Sequence, residues 1–401
     1  MPWALSLILT IVVPLVAISI YLGRRILRAL VTVTGWEYKK TRRRMVWFFI
    51  FINLLPAVYL LAYLVIGRAG TSLFNGDSLL IDVVLAYPFW MGLALLTQLF
   101  LVFLPLDLIR LLFLPLIRKN RERWSAREPR LILTVTVLVV CYGIFTLVTN
   151  TWTVRTVQHT VQLPEGFGGL DGVRIALISD VQADGRTGEW KLNRYVDKVN
   201  ALQPDLILNA GDVVTSGRQY IGMAVSLLGK LQAPYGVISI VGDHDFFSNK
   251  AMVVDGLREN GITVVEDSTV MLKINDTPLT ITGITYTYRQ RPGPEVLQKQ
   301  GSIVDGGYKI FLVHQPAERL VEFAAQHGYR LFLAGHTHGG GITLGIPGLF
   351  MVAPASFESR YVSGFYEVGE LLVTVTNGLG FTLAPIRYHA PAEIVVLDLQ
   401  N

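Results

Sequence analysis

The chain has 401 residues, which is long for one typical domain and right for two or three. Hydrophobic residues make up 51% and charged residues 16%, which excludes a disordered or coiled-coil chain and places the apolar excess in membrane spans. The net charge of +5 divides unevenly: residues 1–150 hold 16 Lys+Arg against 6 Asp+Glu, and the rest holds 19 against 24. The basic charge lies in short loops between apolar runs rather than on one folded face, so no nucleic-acid binding is expected. The single cysteine, Cys141, excludes an intrachain disulfide and any cysteine-built zinc site.

Four apolar stretches precede residue 151, at Trp3–Leu22, Val46–Ile66, Leu79–Leu104 and Leu131–Val148. A span needs about 20 mostly apolar residues, and each stretch approaches or exceeds that. The first lacks the basic start and the cleavage pattern of a signal peptide, and Arg24-Arg25 follows it. The loops alternate in charge. Residues 24–44 carry eight Lys or Arg and residues 110–130 carry seven, whereas residues 67–78 carry only Arg68 and Asp77. The positive-inside rule therefore places both basic loops in the cytoplasm, and the chain after the fourth span on the periplasmic or extracellular side of the inner membrane. Asp82 and Asp107, near the ends of the third stretch, read as interfacial charges rather than a proton path. The expected organisation is a four-helix membrane domain over 1–150, a connector over 151–171 with short β-type segments, and a third part over 172–401.

From Val173 the pattern changes to short apolar strands alternating with amphipathic helices, which points to an α/β arrangement. Each strand ends in a polar cluster. Val173–Ser179 runs into Asp180; Asp205–Asn209 into Gly211-Asp212; Gly236–Val241 into Gly242-Asp243-His244-Asp245; Tyr308–Val313 into His314; Arg330–Ala334 into Gly335-His336-Thr337-His338. Ligand sites in open α/β sheets form beyond the carboxyl ends of strands, so the five ends have a natural place to meet. Carboxylates and imidazoles together suit divalent transition ions. Alternation along an extended segment puts His336 and His338 on one side.

In order and spacing these clusters resemble the calcineurin-like metallophosphoesterases, in their membrane-associated bacterial branch. The matching pieces are Asp180-Val181-Gln182, Gly211-Asp212-Val213-Val214-Thr215, Gly242-Asp243-His244-Asp245, Val313-His314 and Gly335-His336-Thr337-His338, with Asn377–Gly380 further on. The resemblance implies an α/β/β/α sandwich of two mixed sheets and a site for two divalent metal ions (Mn, Fe, Zn, Ni or Co). It assigns Asp180, Gln182 and His338 to one metal, Asp212 as the bridge, and Asp243, His314 and His336 to the other. His244 becomes the imidazole at the scissile phosphate, and Asp245 its orienting carboxylate.

Three residues depart from the family pattern. Gln182 stands for the usual His, Thr215 for Asp, and Asp243 for Asn. A neutral amide oxygen is a harder donor than imidazole, and the added carboxylate brings negative charge to the second metal. The implied function is a membrane-anchored hydrolase of a phosphoester or diphosphate, with a lipid-linked or envelope substrate, acting through attack of a hydroxide bridging the metals. The alternative is a degenerate metal-binding sensor or assembly module, which the three departures motivate.

Overall fold

The computed structural model describes residues 2–74, 76–113, 121–303 and 306–401. The chain forms two compact units.

The first unit is helical. Helix α1 (Trp3–Thr34) ends at Gly35, whose φ of 70° lets its amide return to Val31 O at 2.9 Å. Helices α2 (Tyr38–Ile52) and α3 (Leu54–Ile66) follow, bent by 47° at Asn53. The cause of the bend lies in the sequence: Pro56 has no N–H to give to Ile52 O, and its ring crowds that carbonyl. Among the described residues the remaining long helical stretches are Leu79–Leu112 and Ala126–Trp152. Among the described residues three helices are long and apolar enough to cross a membrane, or four if the bent pair is one span. The helices match the four apolar stretches, the second of them broken. Arg118 and Lys119 of the second basic loop lie outside the described residues. Asp107 is held by Tyr21 and Arg25, so this charge is partnered where it sits. The segments Leu344–Val352, an antiparallel pair of strands β10 (Leu344–Ile346) and β11 (Phe350–Val352), and Leu383–His389 belong to this unit. Within it Tyr142 Oη lies 2.7 Å from His389 Nε2, and Arg387 donates its amide to Thr151 Oγ1 at 3.0 Å.

The second unit is built on two mixed six-stranded sheets. The first runs in the order β1 (Val154–Gln162), β14 (Ala392–Gln400), β2 (Arg174–Ile178), β3 (Leu206–Asn209), β4 (Val237–Ser239), β5 (Thr263–Val264). Its pairings are parallel except β14–β2. The second runs β12 (Gly364–Val368), β13 (Leu371–Val375), β9 (Leu331–Ala334), β8 (Tyr308–Val313), β7 (Thr277–Ile284), β6 (Ser268–Ile274), antiparallel only at its two outer pairs. The segment expected as a connector thus supplies an edge strand, β1.

Period-two alternation distributes each strand between two cores. In β2, Ile175 and Leu177 join the layer between the sheets, while Ala176 and Ile178 face the helices Glu189–Ala201 and Ile221–Leu228. In β8, Ile310 and Leu312 meet that same central layer, while Phe311 and Val313 face Glu318–Gln326. The strands are apolar on both faces because both faces are covered. This is the α/β/β/α sandwich expected from the sequence.

Candidate metal centre and active site

Strands β2, β3 and β4 of one sheet and β8 and β9 of the other end in the segments that carry the polar clusters. Beyond those ends the backbone turns hard. Asp180, Gln182, Asp212, His336 and His338 all adopt positive φ, from 51° to 70°. Non-glycine residues hold that conformation only when their surroundings enforce it. Here the backbone hydrogen bonds enforce it: Asp180 N to Gly211 O at 2.9 Å, Gln182 N to Asp212 O at 3.0 Å, and Gly380 N to Asp180 O at 2.7 Å. Two glycines allow the loops to close. A Cβ on Gly335 would lie 2.0 Å from Ser179 Oγ and 2.4 Å from Asp180 Oδ2; one on Gly242 would lie 2.2 Å from Asp212 Oδ1.

The donors converge. His314 Nε2 lies 3.2 Å from Asp212 Oδ2 and 3.5 Å from Asp243 Oδ2. His336 Nδ1 lies 3.0 Å from Asp243 Oδ2, and His338 Nε2 lies 3.4 Å from Asp180 Oδ1. Two groups have ligand atoms within 4.8 Å of one another: Asp243, His314 and His336, and Asp180, Asp212 and His314. They share His314. Asp180, Gln182, Asp212, Asp243 and His314 are each at most 1% exposed.

The donor chemistry fits divalent cations on three counts. Asp180 Oδ1, Gln182 Oε1 and His314 Nε2 are buried with no hydrogen-bond partner, an arrangement that is costly unless something else takes their lone pairs. The His314 ring is set to ligate: its Nδ1 lies 2.7 Å from the carbonyl of Ala210, which can only accept, so Nε2 keeps its lone pair toward the carboxylates. Gln182 is oriented in the same way, donating Nε2 to Asp212 Oδ2 at 2.9 Å and leaving Oε1 free.

Electrostatics points to the same need for positive charge. Burial pushes the Asp180 carboxyl up. Burial also acts to raise Asp212 and Asp243, but the neighbouring imidazoles outweigh it and hold both carboxyls below the usual range. In return, against burial, Asp212 and its fellow carboxylates hold His314 well above its ordinary value. Hydrogen bonds to Asp243 and Glu358 likewise hold His336 up at about 9. Both shifts record a demand for positive charge beside the carboxylates, which divalent ions would meet in place of protons.

His244 and Asp245 have different tasks. The His244 ring places Nδ1 2.6 Å from Thr215 O, and its amide donates to Asp212 Oδ1 at 2.8 Å. The ring is thus oriented by the Thr215 carbonyl rather than by Asp245. Asp245 accepts instead from the amides of Gly242, Asp212 and Val213 at 2.9–3.0 Å, tying the β3 and β4 loops together. Burial, with the charge of Asp212 adding to it, pushes the Asp245 carboxyl up to about 7. Thr215, the second departure from the family pattern, also donates Oγ1 to Gln182 O at 3.0 Å.

Three further residues enter the cluster. Glu358 approaches His336 Nε2 at 3.2 Å and accepts from Tyr288 Oη at 2.8 Å; Gln315 donates to Asp243 Oδ2 at 2.8 Å. Gln315 follows His314 directly, so its place in the chain marks it. Glu358 and Tyr288 sit in irregular segments with no flanking pattern to mark them.

Two mixed sheets flanked by helices, with carboxylates and imidazoles gathered at their strand ends, form the architecture of a metallophosphoesterase-type domain. The family model for calcineurin-like phosphoesterase matches residues 173–340, and the chain belongs to that family. Among its relatives is the uncharacterized metallophosphoesterase YkuE of Bacillus subtilis, 30% identical over 255 residues, covering 62% of this chain and 86% of YkuE. The uncharacterized metallophosphoesterase Cj0846 of Campylobacter jejuni is 25% identical over 374 residues, covering 91% of this chain and 94% of that one, helical region included. A transmembrane protein with metallophosphoesterase domain from Danio rerio is 27% identical over 293 residues, 69% of this chain and 64% of its own length.

Proposed function

We propose that this chain is a membrane-anchored, metal-dependent hydrolase of a phosphoester or diphosphate. The observation that carries the reading is the convergence of three buried acceptors without hydrogen bonds, on Asp180, Gln182 and His314, within the carboxylate–imidazole cluster. Two divalent cations bound there would supply positive charge to a phosphate and acidify a water molecule. Asp180, Gln182 and His338 are the ligands proposed for one, Asp243, His314 and His336 for the other, with Asp212 between. His244, its Nδ1–H given to Thr215 O, offers Nε2 to the phosphate or to the departing oxygen. Asp245 positions Asp212 through the backbone amides it collects.

A lipid-linked or envelope phosphoester suits a chain that passes from an apolar helix ending at Trp152 to strand β1 at Val154. The loop charges favour the outer side of the cytoplasmic membrane for the second unit. The full chain in detergent, with bis(p-nitrophenyl) phosphate and Mn, Fe, Zn, Ni or Co, tests the activity. Metal-dependent turnover is expected, and Asp212→Ala should lower it at least about a hundredfold. Bound metal without turnover under any of the five ions would reject the hydrolase. It would leave the second reading, a metal-binding module, which the amide of Gln182 at a ligand position favours.

A further inference from the structure

The helical unit contains a groove of about 550 Å³ between α1 and α2. Three residues, Gly35–Glu37, join the two helices, which run antiparallel. Gly23 leaves little room between them: a Cβ there would lie 3.0 Å from the ring of Phe49. Val16, Ile20, Leu27, Val46 and Phe49 give the groove apolar walls, and Arg24, Tyr38 and Arg42 line its end toward the connecting turn.

The charge at that end is uncompensated. Glu37 pairs with Lys40 at 2.8 Å, Asp107 with Arg25, and Glu128 with Arg110. Among the described residues neither Arg24 nor Arg42 has an ion-pair partner. Arg24 also lines a second cavity, of about 720 Å³, together with Arg28. Two free guanidinium groups within reach of one cavity are a matched receptor for a phosphate anion.

The length of the groove selects among anions. From Arg24 back to Val16 its lining on α1 spans eight residues, which at the rise of an α-helix is about 12 Å. One leaflet of the hydrocarbon core is about 15 Å thick. Arg24 stands just past the apolar run Trp3–Leu22 and Val16 lies within it, so the groove covers most of one leaflet from the interface inward. A soluble phosphate would leave those apolar walls bare, whereas an acyl chain covers them.

We infer that the groove between α1 and α2 binds one anionic phospholipid, its phosphate on Arg24 and Arg42 and an acyl chain along Val16, Ile20 and Phe49. The site uses no residue of the metal cluster, so it stands or falls apart from the hydrolase reading.

Native mass spectrometry of the full chain in detergent, with dioleoyl phosphatidylglycerol and dioleoyl phosphatidylcholine in competition, tests it. The wild type should retain the anionic lipid at least about tenfold better. The double variant Arg24→Gln/Arg42→Gln should lose that preference, and Arg24→Lys/Arg42→Lys should keep most of it. Val16→Trp, which fills the apolar end without changing charge, should weaken retention of the lipid. Circular dichroism of each variant separates loss of binding from loss of fold. Equal retention of the two lipids by the wild type, or an unchanged preference in the Gln variant, would overturn the inference. So would saturation by inorganic phosphate with no gain for the acylated form, or a groove occupied by a second copy, seen as a dimer that Val16→Trp dissolves.

Discussion

Two adjacent residues of the cluster, His244 and Asp245, differ in what they support, and their substitutions should separate cleanly. Asp245 is buried and accepts from four backbone amides, so Asp245→Ala leaves those amides unpaired. Each such loss costs about 1–3 kcal/mol, and the variant should unfold at a markedly lower denaturant concentration. Asp245→Asn keeps one acceptor and should lose less. His244→Ala removes a ring whose one hydrogen bond in the cluster is to the Thr215 carbonyl. Its unfolding midpoint should stay close to wild type while metal-dependent turnover falls about a hundredfold or more. If both variants lost stability equally, the role given to His244 would be wrong. The sequence showed both residues as part of one polar strand end. It did not show which carbonyl or carboxylate would hold the ring, because Thr215 comes near only when β3 and β4 pair side by side.

At the scale of elements, the cluster depends on how closely the ends of β2 and β9 approach across the two sheets. Gly335 leaves no room for a side chain there, since a methyl group would meet Ser179 and Asp180. Gly335→Ala should therefore push the His336 loop off Asp180, costing about 1–3 kcal/mol of stability. It should also weaken metal binding at least about tenfold, as read by metal titration of the purified chain. Unchanged affinity would mean that the two strand ends adjust independently. The strands were legible because apolar runs closing on Asp or His stand out in a chain with 16% charge. The bend between α2 and α3 was hidden inside one apolar run, although Pro56 was its visible cause. Strand β1 carries only the pattern of an extended connector, since an edge strand with partly exposed residues alternates weakly.

For the whole molecule, the arrangement of basic loops predicts orientation. A green fluorescent protein fused after Asn401 should stay dark when exported unfolded through the cytoplasmic membrane, whereas one inserted at Trp36 should fluoresce. The reverse pattern would put the metal cluster in the cytoplasm and remove the envelope substrate from consideration. Composition and charge run along the chain and need no folding to be read. The sequence alone therefore determined the apolar helices, the α/β character and the family's strand-end residues. The meeting of Asp180, Asp212, Asp243, His314, His336 and His338 was decided only by the pairing of two sheets, which joins positions as far apart as Asp180 and His338 to within 3.4 Å. Glu358, Tyr288 and Gln315 were brought in by that same packing. A side chain's neighbours across a sheet depend on register and layer, and local pattern carries neither.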